Sequence, residues 1–387
     1  MTQRVLFLAQ LPPPAHGVTT MSRRVLEMMR DMPGLEVEQH WFGSARTIEE
    51  IGRRDLRKVI GFGRLLLWLM GLWISRTRVA FSYQTLAPHG DAAVRDLLLI
   101  AISKRVARRA IVHLHTRGLE EILAGATWRS RLMRAALRGS ELIAITQGVA
   151  DAANASGVFS RVHWLPNLVD DTGGERPHIG DSNELHCGFL GHVDPRKGVL
   201  RFVNAVRAMT DAGLNVRATM AGGPSRHLSL AGLRAYARDK GLERRIDILG
   251  FVDEDQKLEM FRGFDLFIYP TEHDLSPLVV LEAMVMECVP IVYDTGGLRE
   301  MMGPEFADHV IEPASPDATA RIVELATRYA ADPAALAAAK LRARKRVLDH
   351  YSLAAYRVRL GAVLDAPLQD ESGRQAAGSG ALDSLLG

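Results

Sequence analysis

The stretch Tyr269-Pro270-Thr271-Glu272-His273-Asp274-Leu275-Ser276-Pro277-Leu278-Val279-Val280-Leu281-Glu282-Ala283-Met284 decides how this chain is read. The apolar residues Leu266-Phe267-Ile268-Tyr269 run into it as a strand, Pro270 turns the chain, and an apolar helix starts near Pro277. Glu272, His273 and Asp274 lie in the loop between them. A helix start offers unpaired backbone N–H groups and a partial positive charge, so this junction suits a phosphate or sugar hydroxyls. Asp274 ends the loop and Glu282 lies about two turns into the helix, so the two carboxylates can address different parts of one ligand.

The same strand, loop and helix order recurs in both directions. Short β-rich apolar runs near 4–9, 35–40, 79–83, 110–115, 142–145 and 161–165 alternate with helical patterns, one of them basic and apolar over about 55–76. A second series has strands near 185–190, 215–221, 246–249, 266–269, 290–293 and 309–311, and helical patterns follow over about 315–365. Such alternation builds parallel sheets from βαβ units. The fold class is therefore α/β, with two Rossmann-like domains. The polar, breaker-rich run 170–177 predicts the linker, and the Gly-, Ser-, Ala- and Gln-rich end from Pro367 predicts disorder.

At 387 residues and 47% apolar content the chain can fill two cores without disulfides. Cys187 and Cys288 are its only cysteines; no Cys or His spacing matches a zinc site, and both read as core residues in a reducing cytoplasm. Met1-Thr2-Gln3-Arg4 runs straight into a strand, so no secretory signal is expected. The longest apolar run, 65–74, is too short to span a bilayer. Net charge is only +3, but 23 Lys+Arg face 14 Asp+Glu through Asp170, against 25 and 31 beyond it. The first half thus suits something anionic, either lipid or a diphosphate-linked acceptor. Nucleic acid is not expected, because no module that reads it is visible.

Open α/β sheets bind ligands at the carboxyl ends of their strands. After the first strand, the Pro-rich loop 12–16 leads to Gly17, whose unblocked amides open a helix. In Ala110-Ile111-Val112-His113-Leu114-His115 two histidines share one side of a strand. His113 reads as a core histidine, and His115, last in the strand, reaches the cleft. In the second half, Gly188-Phe189-Leu190-Gly191-His192-Val193-Asp194-Pro195-Arg196-Lys197-Gly198 is a strand, a loop and a helix start with two adjacent cations. Ala221-Gly222-Gly223-Pro224 and Gly250-Phe251-Val252 follow two further strands. Asp253-Glu254-Asp255 mimics the Asp-X-Asp of metal-dependent sugar transferases, but acids at a helix start cap it and complement its dipole. A dehydrogenase is disfavoured, since neither domain's first strand leads into Gly-X-Gly-X-X-Gly.

The quoted stretch resembles the acidic signature of retaining nucleotide-sugar glycosyltransferases of the GT-B fold, glycosyltransferase family 4 or group 1 type, where a Glu, seven residues and a second Glu precede Ala-Met. Here Asp274 replaces the first Glu and Glu282 is the second. The resemblance implies that Asp274 touches donor-sugar hydroxyls, with Glu272, His115 and the backbone at Leu275, Ser276 and Leu278 beside it, and that Glu282 holds the nucleotide's ribose. It implies a diphosphate grip by Lys197 with Arg196, although His192 stands where the family has arginine. Gly17 then approaches the donor and Val252 lines the base pocket. Glu300, after Gly296-Gly297, reads as structural.

The resemblance further implies an acceptor-side domain over 1–168, a linker over 169–184, a donor-side domain over 185–350, a helix over 351–366 returning to the first domain, and the tail 367–387. The expected activity is sugar transfer with retention from a nucleoside-diphosphate sugar, with neither metal nor other cofactor. The expected acceptor is a saccharide or polyprenyl-diphosphate-linked saccharide of bacterial polysaccharide assembly. Arg53, Arg54, Arg57, Lys58 and Arg64, followed by an apolar run with Trp68 and Trp73, fit equally an internal Rossmann helix or a segment lying on an anionic membrane. The chain is then cytoplasmic or peripheral on the inner face of the membrane. A non-catalytic nucleotide-sugar-binding or membrane-associated protein is the competing class, motivated by Asp274 and His192.

Overall fold

A computed structural model describes residues 2–13, 17–40, 56–172 and 184–365. Pro14, Ala15 and His16 of the first loop, Arg53 and Arg54, most of the expected linker and the tail 367–387 lie outside the described residues.

The first sheet has strands β1 (Gln3–Phe7), β2 (Leu35–Gln39), β3 (Val79–Leu86), β4 (Ala107–Leu114), β5 (Glu141–Ala144) and β6 (Arg161–Trp164), in the order β2-β1-β3-β4-β5-β6. The second has β7 (Leu185–Leu190), β8 (Val216–Ala221), β9 (Ile246–Ile248), β10 (Leu266–Tyr269), β11 (Val289–Tyr293) and β12 (Val310–Ile311), in the order β12-β11-β10-β7-β8-β9. All neighbours in both sheets are parallel. These are the two Rossmann-like domains expected from the alternating strands and helices, arranged as the resemblance to the GT-B fold implies.

Period-two alternation sends Val5 and Phe7 to one face of the first sheet and Leu6 and Leu8 to the other. The first face is covered by α1 (Gly17–Asp31) and the second by α2 (Leu56–Ile74) and α3 (Gly90–Val106). The helices α4 (Leu119–Ala124), α5 (Trp128–Leu137) and α6 (Gln147–Ser156) follow β4 and β5. In the second domain α7 (Val199–Asp211), α8 (Leu230–Asp239), α9 (Glu254–Gly263), α10 (Leu278–Val285) and α11 (Leu298–Met302) alternate with strands. Cys187 and Cys288 are both buried in its core.

Beyond α12 (Ala318–Ala331) and α13 (Pro333–His350), α14 (Leu353–Leu364) packs Tyr356, Leu360 and Val363 into the first domain's core. Arg109 fixes that return: its guanidinium donates to both Glu141 oxygens at 2.7 and 2.8 Å and to the Val363 carbonyl at 2.7 Å. Burial alone would raise the Glu141 pKa, but the Arg109 and His163 bonds outweigh it and hold the carboxyl at about 2. The described part of the expected linker is pinned as well as polar. Val169 is buried in the second core, Asp170 pairs with Arg24 and Asp171 with Arg344.

Candidate functional site

Strand order in the second sheet reverses between β7 and β10, the place where an open α/β sheet leaves a crevice beyond its strand ends. The loop after β7 carries Asp194 to Lys197, and the loop after β10 carries Thr271 to Ser276. They are locked together through their backbones: Glu272 N donates to the Arg196 carbonyl at 3.2 Å. Gly198 closes the turn at φ +88°, and a Cβ there would lie 2.2 Å from the Pro270 carbonyl oxygen, so only glycine allows this approach.

This packing brings Lys197 and Asp274 together. Lys197 Nζ lies 2.7 Å from Asp274 Oδ2 and also donates to the His273 carbonyl at 3.3 Å. Tyr269, at the end of β10, donates its hydroxyl to the same Oδ2 at 2.8 Å. Burial, reinforced by the Asp274 charge, pushes the Tyr269 hydroxyl well above its ordinary pKa, so it keeps its proton and serves as donor. Asp274 is thus held by a cation and a neutral hydroxyl at once.

The other predicted donor-side residues fall around this pair with varied partners. Arg196 points to Asp194, with Nη2 to Oδ2 at 2.9 Å and Nε to Oδ1 at 3.1 Å, and those bonds hold the Asp194 carboxyl at about 2. His192 is exposed. Glu272 is exposed, pairs with Arg201, and receives Arg117 of the first domain on its carbonyl at 3.2 Å. Glu282 lies on α10, and Lys257 of α9 reaches it at 3.0 Å while also bonding Glu254 at 2.8 Å. Burial alone would lower the Lys257 pKa, but the two carboxylates raise it, so Lys257 stays charged. Asp253, in the suspected metal motif, caps α9 in a reciprocal box with Gln256.

Several residues expected to meet the donor through their backbone turn their side chains elsewhere. Leu275 is 7% exposed and belongs to the apolar cluster formed by Leu114, Leu119 and Ile145 of the first domain. Leu278 packs against another of the first domain's clusters, the one that holds Val5 and Phe7, and a Cβ on Gly17 would meet its Cδ1 at 3.9 Å. The N-terminal ends of α1 and α10 therefore face each other across the cleft. The Val252 side chain packs on the second core, leaving Phe251 beside it 81% exposed. Leu275 leaves only its backbone to a ligand, while Leu278 and Val252 are half-buried. Ser276 accepts from Asn167 Nδ2 on its carbonyl at 2.9 Å.

On the first domain, His115 lies one residue past β4, half-buried, with its ring 3.9 Å from that of His113. His113 is the core histidine expected: Tyr83 sits 2.6 Å from its Nδ1, and burial lowers its pKa well below the ordinary value. Glu300, in the first turn of α11, reaches across domains and accepts from Gln147 N, the start of α6, at 2.6 Å. Burial raises its pKa, while the helix-start amide favours its charge. Gly297 sits against Thr146 in the same contact. Lys257, Arg201, Asn167 and Arg117 carry no local motif, and Tyr269 reads in the sequence only as the end of a strand; their partners are distant in sequence or set only by the folded loop.

A family profile for glycosyl transferases group 1 matches residues 177–344. Two curated relatives from Streptomyces kanamyceticus are 2-deoxystreptamine glucosyltransferase, 26% identical over 43% of this chain and 41% of its own, and alpha-D-kanosaminyltransferase, 27% identical over 56% and 59%. The chain spans about half the length of the curated relatives it matches. Among solved structures, sucrose-phosphate synthase from Thermosynechococcus elongatus superposes with TM-score 0.69 at 14% identity, covering 94% of this chain and 98% of that one. Anabaena HepE in complex with UDP gives TM-score 0.68 at 15% identity over 94% and 99%. Over residues 177–344 the chain is accordingly similar to glycosyl transferases group 1, and its fold is GT-B.

Proposed function

We propose that the protein transfers a sugar, with retention, from a nucleoside-diphosphate sugar to an acceptor hydroxyl. The observation that carries this reading is the Lys197, Tyr269 and Asp274 cluster at the switch point of the second sheet. In it a cation and an acid that suit opposite ends of the donor are held in one network. The anomeric C–O bond to the diphosphate breaks, and charge builds on the leaving oxygens. Lys197 turns from Asp274 to those oxygens and stabilises them, and no metal is needed for that step. Asp274, still held by Tyr269, then accepts from sugar hydroxyls and favours the cation-like ring. The acceptor oxygen bonds to the anomeric carbon on the face the diphosphate leaves, and its proton passes to a departing phosphate oxygen. Glu282, oriented by Lys257, holds the ribose; His115 and the α1 start at Gly17 close the sugar side.

The relatives named for glucosyl and kanosaminyl transfer support a hexosyl donor, and the solved complex of HepE with UDP supports a nucleotide donor. A basic first half supports an acceptor carrying phosphate, such as a polyprenyl-diphosphate-linked saccharide. The test is incubation of the full chain with a panel of nucleotide sugars, with and without lipid-linked acceptors, reading release of nucleoside diphosphate. Acceptor-dependent release from one donor is expected, and absence of release with every pair sinks the reading.

A second reading, a nucleotide-sugar-binding protein without turnover, is favoured by one observation: the Lys197 charge is already answered by Asp274, and His192 adds no fixed cation. Nucleotide binding without release in that panel would select it.

A further inference from the structure

The helix α2 is apolar on two opposite sides. Leu65 and Leu69 are buried in the first domain, yet Leu56, Ile60, Leu67 and Ile74 are each more than half exposed. At 3.6 residues per turn those four positions return to nearly one azimuth, roughly opposite Leu65 and Leu69, and form a stripe along the whole helix. A surface helix needs one apolar stripe to reach its core; a second, exposed one calls for a cover.

The neighbouring helices extend the stripe into a surface. α3 packs on α2 and α5 on α3. Val94 and Leu98 of α3 and Trp128 and Leu132 of α5 are also exposed. Helices that link parallel strands run back against them, so the first turns of α2, α3 and α5 lie at the cleft end of the sheet. The surface therefore reaches the acceptor side of the cleft.

Charge selects what covers it. Neither α2 nor α5 contains an acidic residue, while Arg64, Arg129 and Arg131 are exposed on them. Two exposed tryptophans carry guanidinium groups on their rings: Arg105 over Trp73 and Arg129 over Trp128, each at 5.5 Å. Apolar side chains beside aromatic and cationic ones, with no carboxylate on the outer helices, match the apolar boundary and negative headgroups of an anionic bilayer. No helix among the described residues is long and apolar enough to cross a membrane. We infer that the α2, α3 and α5 face docks in the plane of an anionic lipid surface, with the cleft mouth turned toward the membrane. This inference stands on exposure and charge, and its test needs no donor sugar.

The full chain is co-sedimented with phosphatidylcholine vesicles with and without phosphatidylglycerol. Pelleting with the anionic vesicles is expected, together with a roughly tenfold loss for the double variant Leu67→Glu, Ile74→Glu. The pair Arg129→Gln, Arg131→Gln should lose roughly fivefold per charge removed and keeps the test independent of how the first variant folds. Equal recovery in the supernatant with both vesicle types overturns the inference, as does pelleting that neither variant weakens. A lipid-free dimer that Leu67→Glu dissociates would assign the face to a second copy instead and overturn it too.

Discussion

Replacing Asp274 by Asn separates the two jobs assigned to the site. The wild-type carboxylate holds Lys197 at 2.7 Å with side-chain exposures of 17% for the acid and 26% for the lysine, so the pair is mostly shielded but still partly wet. A hydrogen bond to a charged group contributes about 1.5–3 kcal/mol, and partial solvent access reduces this to about 1–2 kcal/mol. Asparagine keeps an oxygen for the Tyr269 hydroxyl, so the loop stays in place while the hold on Lys197 weakens. Released from that pair, Lys197 meets an incoming diphosphate at lower cost. Nucleoside-diphosphate affinity should therefore rise roughly 5- to 30-fold. Transfer should fall about 100-fold or more, because a neutral amide cannot favour positive charge developing on the sugar. Calorimetric titration with nucleoside diphosphates and single-turnover transfer read the two effects separately. Unchanged or weakened diphosphate binding in the variant would refute the hand-over of Lys197.

Lys257→Met should leave Glu282 without its orienting cation and weaken nucleotide binding by roughly fivefold to tenfold, read by the same titration, with little effect on the affinity for a bare sugar. In Gly198→Ala the new Cβ collides with the Pro270 carbonyl at a positive φ, costing about 1–3 kcal/mol and moving the loop that carries Asp274. Denaturant unfolding should show the loss, and donor binding should weaken with it. Asp96, buried in the second turn of α3, has its pKa raised to about 6 by burial, against the pull of Arg95 and Ala87 N. The folded state binds that proton more tightly than the unfolded chain, so ionised Asp96 costs stability above pH 6 and the cost fades as pH falls toward 4. Asp96→Asn should be more stable than wild type at pH 8 by up to about 3 kcal/mol, with the gap closing by pH 4; parallel stability curves would contradict this.

Most strands were legible as short apolar or alternating runs between turn residues, and both sheets formed where those runs lie. β4 begins at Ala107, earlier than its pattern suggests, because Arg108 and Arg109 look like solvent-facing residues. Arg109 is instead engaged by Glu141 and by the end of α14, partners that no local pattern reveals. At the site, the contact of Lys197 with Asp274 joins the two motifs that stood out in the sequence. Lys257 was invisible because its carboxylate partner Glu282 lies on another helix. Leu275 and Leu278 read as part of a ligand loop, and their side chains turned out to serve contact between domains. Side-chain direction in an irregular loop is set by tertiary packing, which residue type and spacing do not encode.

Leu275 gives the donor loop a mechanical role. It is rooted in the first domain's core, yet it follows Asp274 directly in the chain. Separating the domains must pull that leucine into water, at about 1.5–3 kcal/mol if fully exposed, and removes the anchor beside Asp274 in the opposite domain. The acid beside the sugar is thereby tied to the position of the opposite domain, as a bolt is tied to the door it fastens. An open cleft would leave Asp274 to Lys197 and Tyr269 of its own domain, and reseating the leucine would brace the loop from both sides. The donor loop is thus braced by both domains only while the two halves are shut.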